Sequence, residues 1–247
     1  MKKIVIDPGH TEYENKGVLS GYFEGNISFL VGKLLKTELE MRGYEVKMTR
    51  NDIKDNPSLS ERAQMSAGAW LFLSLHTDWA SGENKVLIFD DINPRNANKE
   101  LAEDIASAVA ESWKTHYIIR YNKLDGSQFG SWQLNPIQGA KNHFCVQREC
   151  LAQYDYLLEM ANHRDIEACQ ELIKPEKQKD IAVRIAHTIA EYDRLHDPSA
   201  EYKEKPKIEL NSKYKVVVGV YAQKINAEKK IEELREHGFE AWISTKG

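Results

Sequence analysis

Residues 2–17 read "KKIVIDPGHTEYENKG", and the turn inside this stretch sets the reading of the whole chain. The β-branched run Ile4-Val5-Ile6 predicts a buried strand. Pro8-Gly9 is a turn pair that stops the strand and presents His10 just beyond its carboxyl end. A strand that meets a polar turn so abruptly is the expected opening of a domain that alternates strands with helices.

The pattern downstream supports that alternation. From Asn26, residues Ile27, Leu30, Val31, Leu34, Leu35 and Leu39 recur at the spacing of one helix face. Gly43 closes this helix, and residues 44–48 predict a second strand. Pro57-Ser58-Leu59-Ser60-Glu61 begins another helix, with Ser58 as cap and Glu61 three residues on. Residues 70–75 form a dense apolar run ending at His76, and residues 86–89 predict a further strand. A helix is expected over 98–113, with Leu101, Ile105, Val109 and Trp113 on one side. Residues 124–142 are rich in Gly, Gln, Asn and Ser and show no period, so they read as a long loop. Residues 156–160 predict a short strand. Residues 177–195 predict a helix with Ile181, Ile185 and Ile189 in register. The fold expected over residues 1–195 is α/β: a mainly parallel twisted sheet with helices on both faces. Residues 196–212 are charged, hold two prolines and lack an apolar face, which predicts a linker. Residues 213–247 read as a small β-α-β module.

Composition narrows the class. The 247 residues are 41% apolar and 29% charged, a normal globular mixture. A net charge of −4 leaves no basic footprint, so nucleic acid is not an expected partner. No apolar run approaches the roughly 20 residues of a membrane span. The opening residues contain no apolar leader region and no cleavage site, so the chain is expected to be made and kept in the cytoplasm until something else releases it. Cys145, Cys150 and Cys169 are odd in number and are expected to be reduced thiols.

Three polar side chains occupy comparable places. His10 follows the first strand, His76 follows the run 70–75, and Glu159 lies near the end of the strand 156–160. Glu24 opens the first helix. In open α/β sheets, ligands bind beyond the carboxyl ends of the strands. Two histidines and one carboxylate form a catalytic zinc set with an open position for water, whose pKa falls to about 7 on the metal. A second carboxylate off the metal is needed to take the water's proton and pass it to a leaving amine. Plainer readings exist for each residue taken singly. A histidine after a strand is commonly a hydrogen-bonded turn residue, and a glutamate in a first helical turn is favoured by the helix dipole. Glu12 and Glu14 are rival third ligands. His143, Cys145 and Cys150 lack the fourth ligand of a zinc knuckle.

At this point the residues carry a resemblance. "IVIDPGH" (4–10), Glu24, "TR" (49–50), "LSERAQMSA" (59–67), "LFLSLHTD" (71–78) and "YLLEMANHRDIEACQEL" (156–172) resemble the zinc-dependent N-acetylmuramoyl-L-alanine amidases of the amidase-3 family. The resemblance runs from about residue 3 to residue 192. It implies a single Zn2+ held by His10, Glu24 and His76, with Glu159 as the catalytic glutamate. It also implies peptidoglycan as substrate, cut between the lactyl group of N-acetylmuramic acid and L-alanine of the stem peptide. The chain departs from the family at Thr11-Glu12, where glycines are usual, at Asp78, where asparagine is common, and at Met160-Ala161, where Gly-Phe is common. Arg148 is a candidate contact for a stem-peptide carboxylate, and Phe129, Trp132, Tyr154 and Tyr156 are candidates for a groove lining. Arg62 is expected to be structural. The alternatives are another zinc peptidase acting on wall peptides and a non-catalytic wall-binding protein.

Residues 214–244, "YKVVVGVYAQKINAEKKIEELREHGFEAWIS", resemble about half of a sporulation-related (SPOR-like) repeat. This implies wall targeting by binding to glycan strands. In that family two such units complete one sheet, so a lone unit is expected to pair with its counterpart in a second chain, giving a homodimer. A cytoplasmic amidase with such a tail would reach the wall as a phage endolysin freed by a holin, the reading favoured here, or as an autolysin freed when a sporulating cell lyses. Sedimentation of the chain with and without residues 197–247 tests the pairing. A dimer that becomes a monomer on truncation is expected, and a monomer in both cases rejects it.

Overall fold

The structure, a computed structural model, describes residues 1–80, 82–127 and 130–197. The C-terminal module, most of the linker and Phe129 lie outside the described residues.

The chain runs β1 (Lys3–Pro8), α1 (Glu24–Met41), β2 (Glu45–Met48), α2 (Leu59–Gln64), β3 (Leu71–Asp78) and β4 (Val86–Asp90). It continues through α3 (Lys99–Trp113), β5 (Tyr117–Lys123), β6 (Ser131–Gln133), α4 (Cys145–Arg148), β7 (Tyr154–Asn162), α5 (Ile166–Leu172) and α6 (Pro175–His196). The strands form one seven-stranded sheet in the order β2-β1-β3-β7-β4-β5-β6. β2, β1, β3 and β7 are mutually parallel neighbours. β4 runs antiparallel to β7 and parallel to β5, and β6 is antiparallel to β5. The expected α/β sheet is therefore mixed, with a reversal at the β7–β4 junction. The carboxyl ends of β1, β3 and β7 consequently share one edge, while those of β4 and β5 point to the other.

Strand alternation builds two cores. Ile4, Ile6, Leu73, Leu75 and Leu158 face a large core with Ile27, Val31 and Leu35 of α1, Ile105 and Val109 of α3, and Ile181, Ile185 and Ile189 of α6. Val5, Phe72, Leu87 and Leu157 face a smaller core with Val146 of α4 and Ala69 and Ala152. Burial on both faces is why the strands read as unbroken apolar runs. Helices do cover both faces, but the long ones share the first.

Local signals behave as their chemistry dictates. Ser58 and Glu61 form the capping box: Ser58 Oγ accepts from the Glu61 N–H and Glu61 Oε2 accepts from the Ser58 N–H. Gly43 stops α1 with φ of 93°. Several boundaries differ from expectation. Leu30 is 42% exposed, so the buried stripe of α1 is narrower than predicted. β3 runs on through His76 to Asp78 because its pairing with β7 continues to the His76–Glu159 pair. The stretch read as a long loop contains β6. β5, α4 and α5 were not anticipated. β5 is mostly half-buried and polar at its end, and the two helices are too short to show a period.

At the edge away from His10, buried carboxyls collect. Asp90, at the end of β4, accepts from the Asp91 and Asn98 N–H groups, and Asp155 accepts from Gln147 Nε2 at 3.0 Å. Burial pushes the Asp90 carboxyl up to about 7. Burial first, and then Asp91, pushes Asp155 well above the carboxylate range. Both groups hold a proton more tightly folded than unfolded. The stability they contribute is present at low pH and is lost as pH rises through the folded-state values. The unfolding midpoint should therefore fall from about pH 4 upward, with the Asp90 part complete near pH 7, and Asp90→Asn should remove that part of the fall. A variant slope equal to the wild-type slope in thermal melts would refute this assignment.

Candidate active site

The site begins with the turn after β1. Asp7 is buried, and its carboxylate accepts from Thr49 Oγ1 at 2.6 Å, Arg62 Nη1 at 3.0 Å and Ser74 Oγ at 2.7 Å. Arg62 also donates to the carbonyl oxygens of Pro8 and His10 at 2.6 and 2.8 Å. Arg50 donates to the carbonyls of Gly9 and Gly25 at 3.1 and 3.0 Å, and to that of Ile53. This grip holds His10 at φ of 60°, a left-handed conformation that a non-glycine residue adopts only when its surroundings enforce it.

Glu24 is the first residue of α1 and is 1% exposed. Its Oε1 accepts from the Thr77 N–H at 2.9 Å and lies 2.9 Å from His76 Nδ1 and 3.3 Å from His10 Nε2. Its Oε2 accepts from Asn15 Nδ2 at 2.8 Å. Burial alone would raise this carboxyl, but the hydrogen bonds and charges of His10 and His76 outweigh it and hold the group well below the usual range. For His10, burial favours the neutral ring, yet the bond to Glu24 prevails and raises its pKa.

One donor atom from each of His10, Glu24 and His76 lies within 4.8 Å of the others. The two imidazoles meet edge to face, with centroids 5.1 Å apart. Two ring nitrogens and a buried carboxylate oxygen are a borderline donor set that suits a divalent transition metal. Among the described residues this is the sole such cluster of three. Glu12 and Glu14 fall outside it. Glu14 instead accepts from the Thr11 N–H and lies 4.0 Å from His10 Nδ1.

Glu159 sits on β7 directly across from His76 in the parallel register and across from Leu87 on the other side. The residue is half-buried, and its Oε2 is buried without a hydrogen-bond partner among the described residues. Burial, followed by the charges of Glu24 and Asp78, pushes this carboxyl well above the usual range.

Arg148 ends α4, and its Nη1 donates to the carbonyls of Asn142 and His143, which ties a loop to the helix. Tyr156 is fully buried core, and Tyr154 packs on Trp70 at the amino ends of the strands. Trp132 is on β6, separated from β7 by β4 and β5, and stacks on Phe89. The three cysteines are free thiols. The sequence reading missed His163. It is buried, its Nδ1 lies 2.8 Å from Thr77 Oγ1 and 3.7 Å from Glu24 Oε2, and its Nε2 has no partner among the described residues. It follows β7 as His10 follows β1, so the rule that singled out His10 would have found it.

Gly9 makes the close approach possible. A Cβ there would lie 2.3 Å from His76 Cε1. Gly9→Ala should therefore leave the protein folded but weaken metal binding by about 10–100-fold, as displaced ligand supports do. Competition with a chelator measures this, and an unchanged affinity would show that His76 moves aside freely.

Comparison with known proteins places the fold in a family. The family profile described as N-acetylmuramoyl-L-alanine amidase matches residues 4–191. The chain is 28% identical over 135 residues to the N-acetylmuramoyl-L-alanine amidase LytC of Bacillus subtilis, covering 49% of this chain and 27% of that protein. Among solved structures, Cwp6 from Clostridium difficile is similar with a TM-score of 0.64 at 23% identity, covering 77% of this chain and 29% of that one. The catalytic domain of CwlV, an amidase from Bacillus (Paenibacillus) polymyxa, is similar with a TM-score of 0.61 at 21% identity, covering 78% and 98% respectively. The chain thus spans under a third of the lengths of LytC and Cwp6. With the profile running through every strand of the sheet and all of the residues around His10, Glu24 and His76, this chain belongs to the N-acetylmuramoyl-L-alanine amidase family, amidase 3.

Proposed function

We propose that the protein is a zinc-dependent amidase of peptidoglycan, hydrolysing the bond between the lactyl group of N-acetylmuramic acid and L-alanine of the stem peptide. The observation that carries this reading is Glu159, half-buried and directly across from His76 in the sheet, with its Oε2 buried and unpartnered among the described residues. A metal site with a spare acid beside it suits hydrolysis better than a purely structural ion does.

His10, Glu24 and His76 would hold the ion. Zinc bound there supplies positive charge for the scissile carbonyl oxygen and a water acidic near neutral pH. Thr77 N–H and Asn15 Nδ2 fix the two oxygens of Glu24, which keeps one carboxylate aimed at both imidazoles. Glu159 takes the proton of the attacking water as the new C–O bond forms. It returns that proton to the nitrogen of L-alanine as the C–N bond breaks, leaving a lactyl carboxylate and a free amine. A carboxyl whose pKa is raised by burial and by the neighbouring Glu24 and Asp78 suits a group that must hold a proton between two steps.

The tail extends the reading. Residues 213–247 would anchor the enzyme to glycan strands and pair two chains, and release from the cytoplasm would follow holin action or lysis.

Glu159→Gln should retain the metal and lose about 10²–10⁴-fold in hydrolysis, whereas His76→Ala should lose both. Metal analysis and clearing of purified walls read the two quantities. New amino termini in the digest should be alanine. Full activity in Glu159→Gln would place the base elsewhere, and a different new terminus would identify another wall peptidase.

A further inference from the structure

Trp79 follows β3 by one residue and Arg164 follows β7 by two, so both leave the sheet at the edge that carries His10, His76 and Glu159. The Trp79 indole is 56% exposed. Its ring centroid lies 5.2 Å from that of His163, which is itself 3.7 Å from Glu24 through Nδ1. The guanidinium carbon of Arg164 lies 4.7 Å from the Trp79 ring centroid. Arg164 is exposed, and its backbone N–H is fixed by Asn162 Oδ1 at 2.9 Å. No carboxylate among the described residues forms an ion pair with it. A cation held on an indole face, with its N–H fork unspent among the described residues, is a ready receptor for an anion.

We propose that Trp79 and Arg164 form the subsite for the peptide half of the substrate, with the Arg164 fork receiving the α-carboxylate of a γ-linked second residue. The inference rests on the amidase reading. If Glu159 protonates the leaving nitrogen, the peptide that bears this nitrogen runs out over the carboxyl end of β7. Arg164 stands there, five residues beyond Glu159. The separations along Trp79, His163 and Glu24 fall within the reach of two or three extended residues at about 3.5 Å each. The site's other nearby charges include the carboxyls of Glu24, Asp78 and Glu159, so an approaching peptide carboxylate needs a cation at this point. The indole face covers the apolar atoms of the same residue.

Two soluble muramoyl-peptides that differ only in this group, α-carboxylate or α-carboxamide, test the proposal. The wild type should prefer the acid. Arg164→Gln should lose about tenfold in kcat/KM on the acid, through KM, as expected for a lost charge-assisted pair, and its preference should collapse towards unity. Arg164→Lys should restore part of the preference, and Trp79→Ala should weaken binding of the acid. Calorimetry with the two released peptides gives a second readout that needs no turnover: the acid should bind tighter to the wild type and equally to Arg164→Gln. A wild-type preference retained in Arg164→Gln, with alanine still the new terminus, overturns the subsite and leaves the amidase reading intact. If the wild type cuts neither substrate, the amidase reading falls, and equal binding of the two peptides in calorimetry then overturns the subsite as well.

Discussion

Two buried guanidinium groups carry the turn on which the site is built. Where β1 ends, the carbonyls of Pro8, Gly9 and His10 point inward, beyond the last rungs of the sheet, and no strand is there to satisfy them. Arg62 and Arg50 supply the donors, five N–H groups each in a fixed fork. Asp7 lies among them and balances the charge of Arg62. Burial, and then the neighbouring charge of Arg62, lowers Arg50 to about 10, which leaves it charged at neutral pH. Removing one partner from a buried pair of this kind typically costs about 3–5 kcal/mol, because the remaining charge stays desolvated. That scale is ample to keep His10 in a backbone conformation it would otherwise avoid.

The same edge separates two glutamates by environment. Glu24 meets two imidazoles, a backbone N–H and an amide, all of which favour its ionised form. Glu159 lies between His76 and Leu87 in the sheet, and burial, followed by the charges of Glu24 and Asp78, raises its carboxyl. In the reaction proposed above, acids driven apart in this way would divide the roles, one holding charge and the other moving a proton. The carboxyls at the far edge, around Asp90 and Asp155, are raised as well. They stand against main-chain and amide donors rather than imidazoles, so they form a packing feature rather than a second centre.

Much of this was legible in the residues. The Asp-Pro-Gly-His turn, the Ser58–Glu61 box and the spacing of Ile27, Val31 and Leu35 each express a local rule, and local rules survive folding. The convergence of His10 and His76 follows from strands that share a direction. What was not legible depends on tertiary pairing. The reversal at β7–β4 has no signature in either strand, because both are buried on two faces. Arg148 was a candidate for a carboxylate in sequence, and the fold adds that its Nη1 is held by two loop carbonyls, a contact no local pattern announces. Tyr154 and Tyr156 looked like groove aromatics, and sheet pairing places them at the amino ends of the strands. Leu30 matched the helical period and still faces out, because the helix covers the sheet with a narrower stripe than its apolar content allows.

Glu24 opens α1 and also completes the donor set, while Gly25 behind it admits no side chain: a Cβ there would meet the Thr11 carbonyl oxygen at 1.8 Å. The phase of that helix against the sheet is thereby locked, whereas the excursion between Thr11 and Phe23 closes on itself through the Lys16–Phe23 bridge. Within that excursion Asn15 holds Glu24 Oε2 and the buried Tyr22 donates to Thr77 Oγ1, so free variation is confined to exposed positions such as Tyr13 and Val18. A shift of one residue at position 24, by contrast, would turn the carboxylate a quarter-circle or more away and dismantle the centre at a stroke. Loop grafting between relatives should therefore keep Asn15 and Tyr22 and stop short of Phe23.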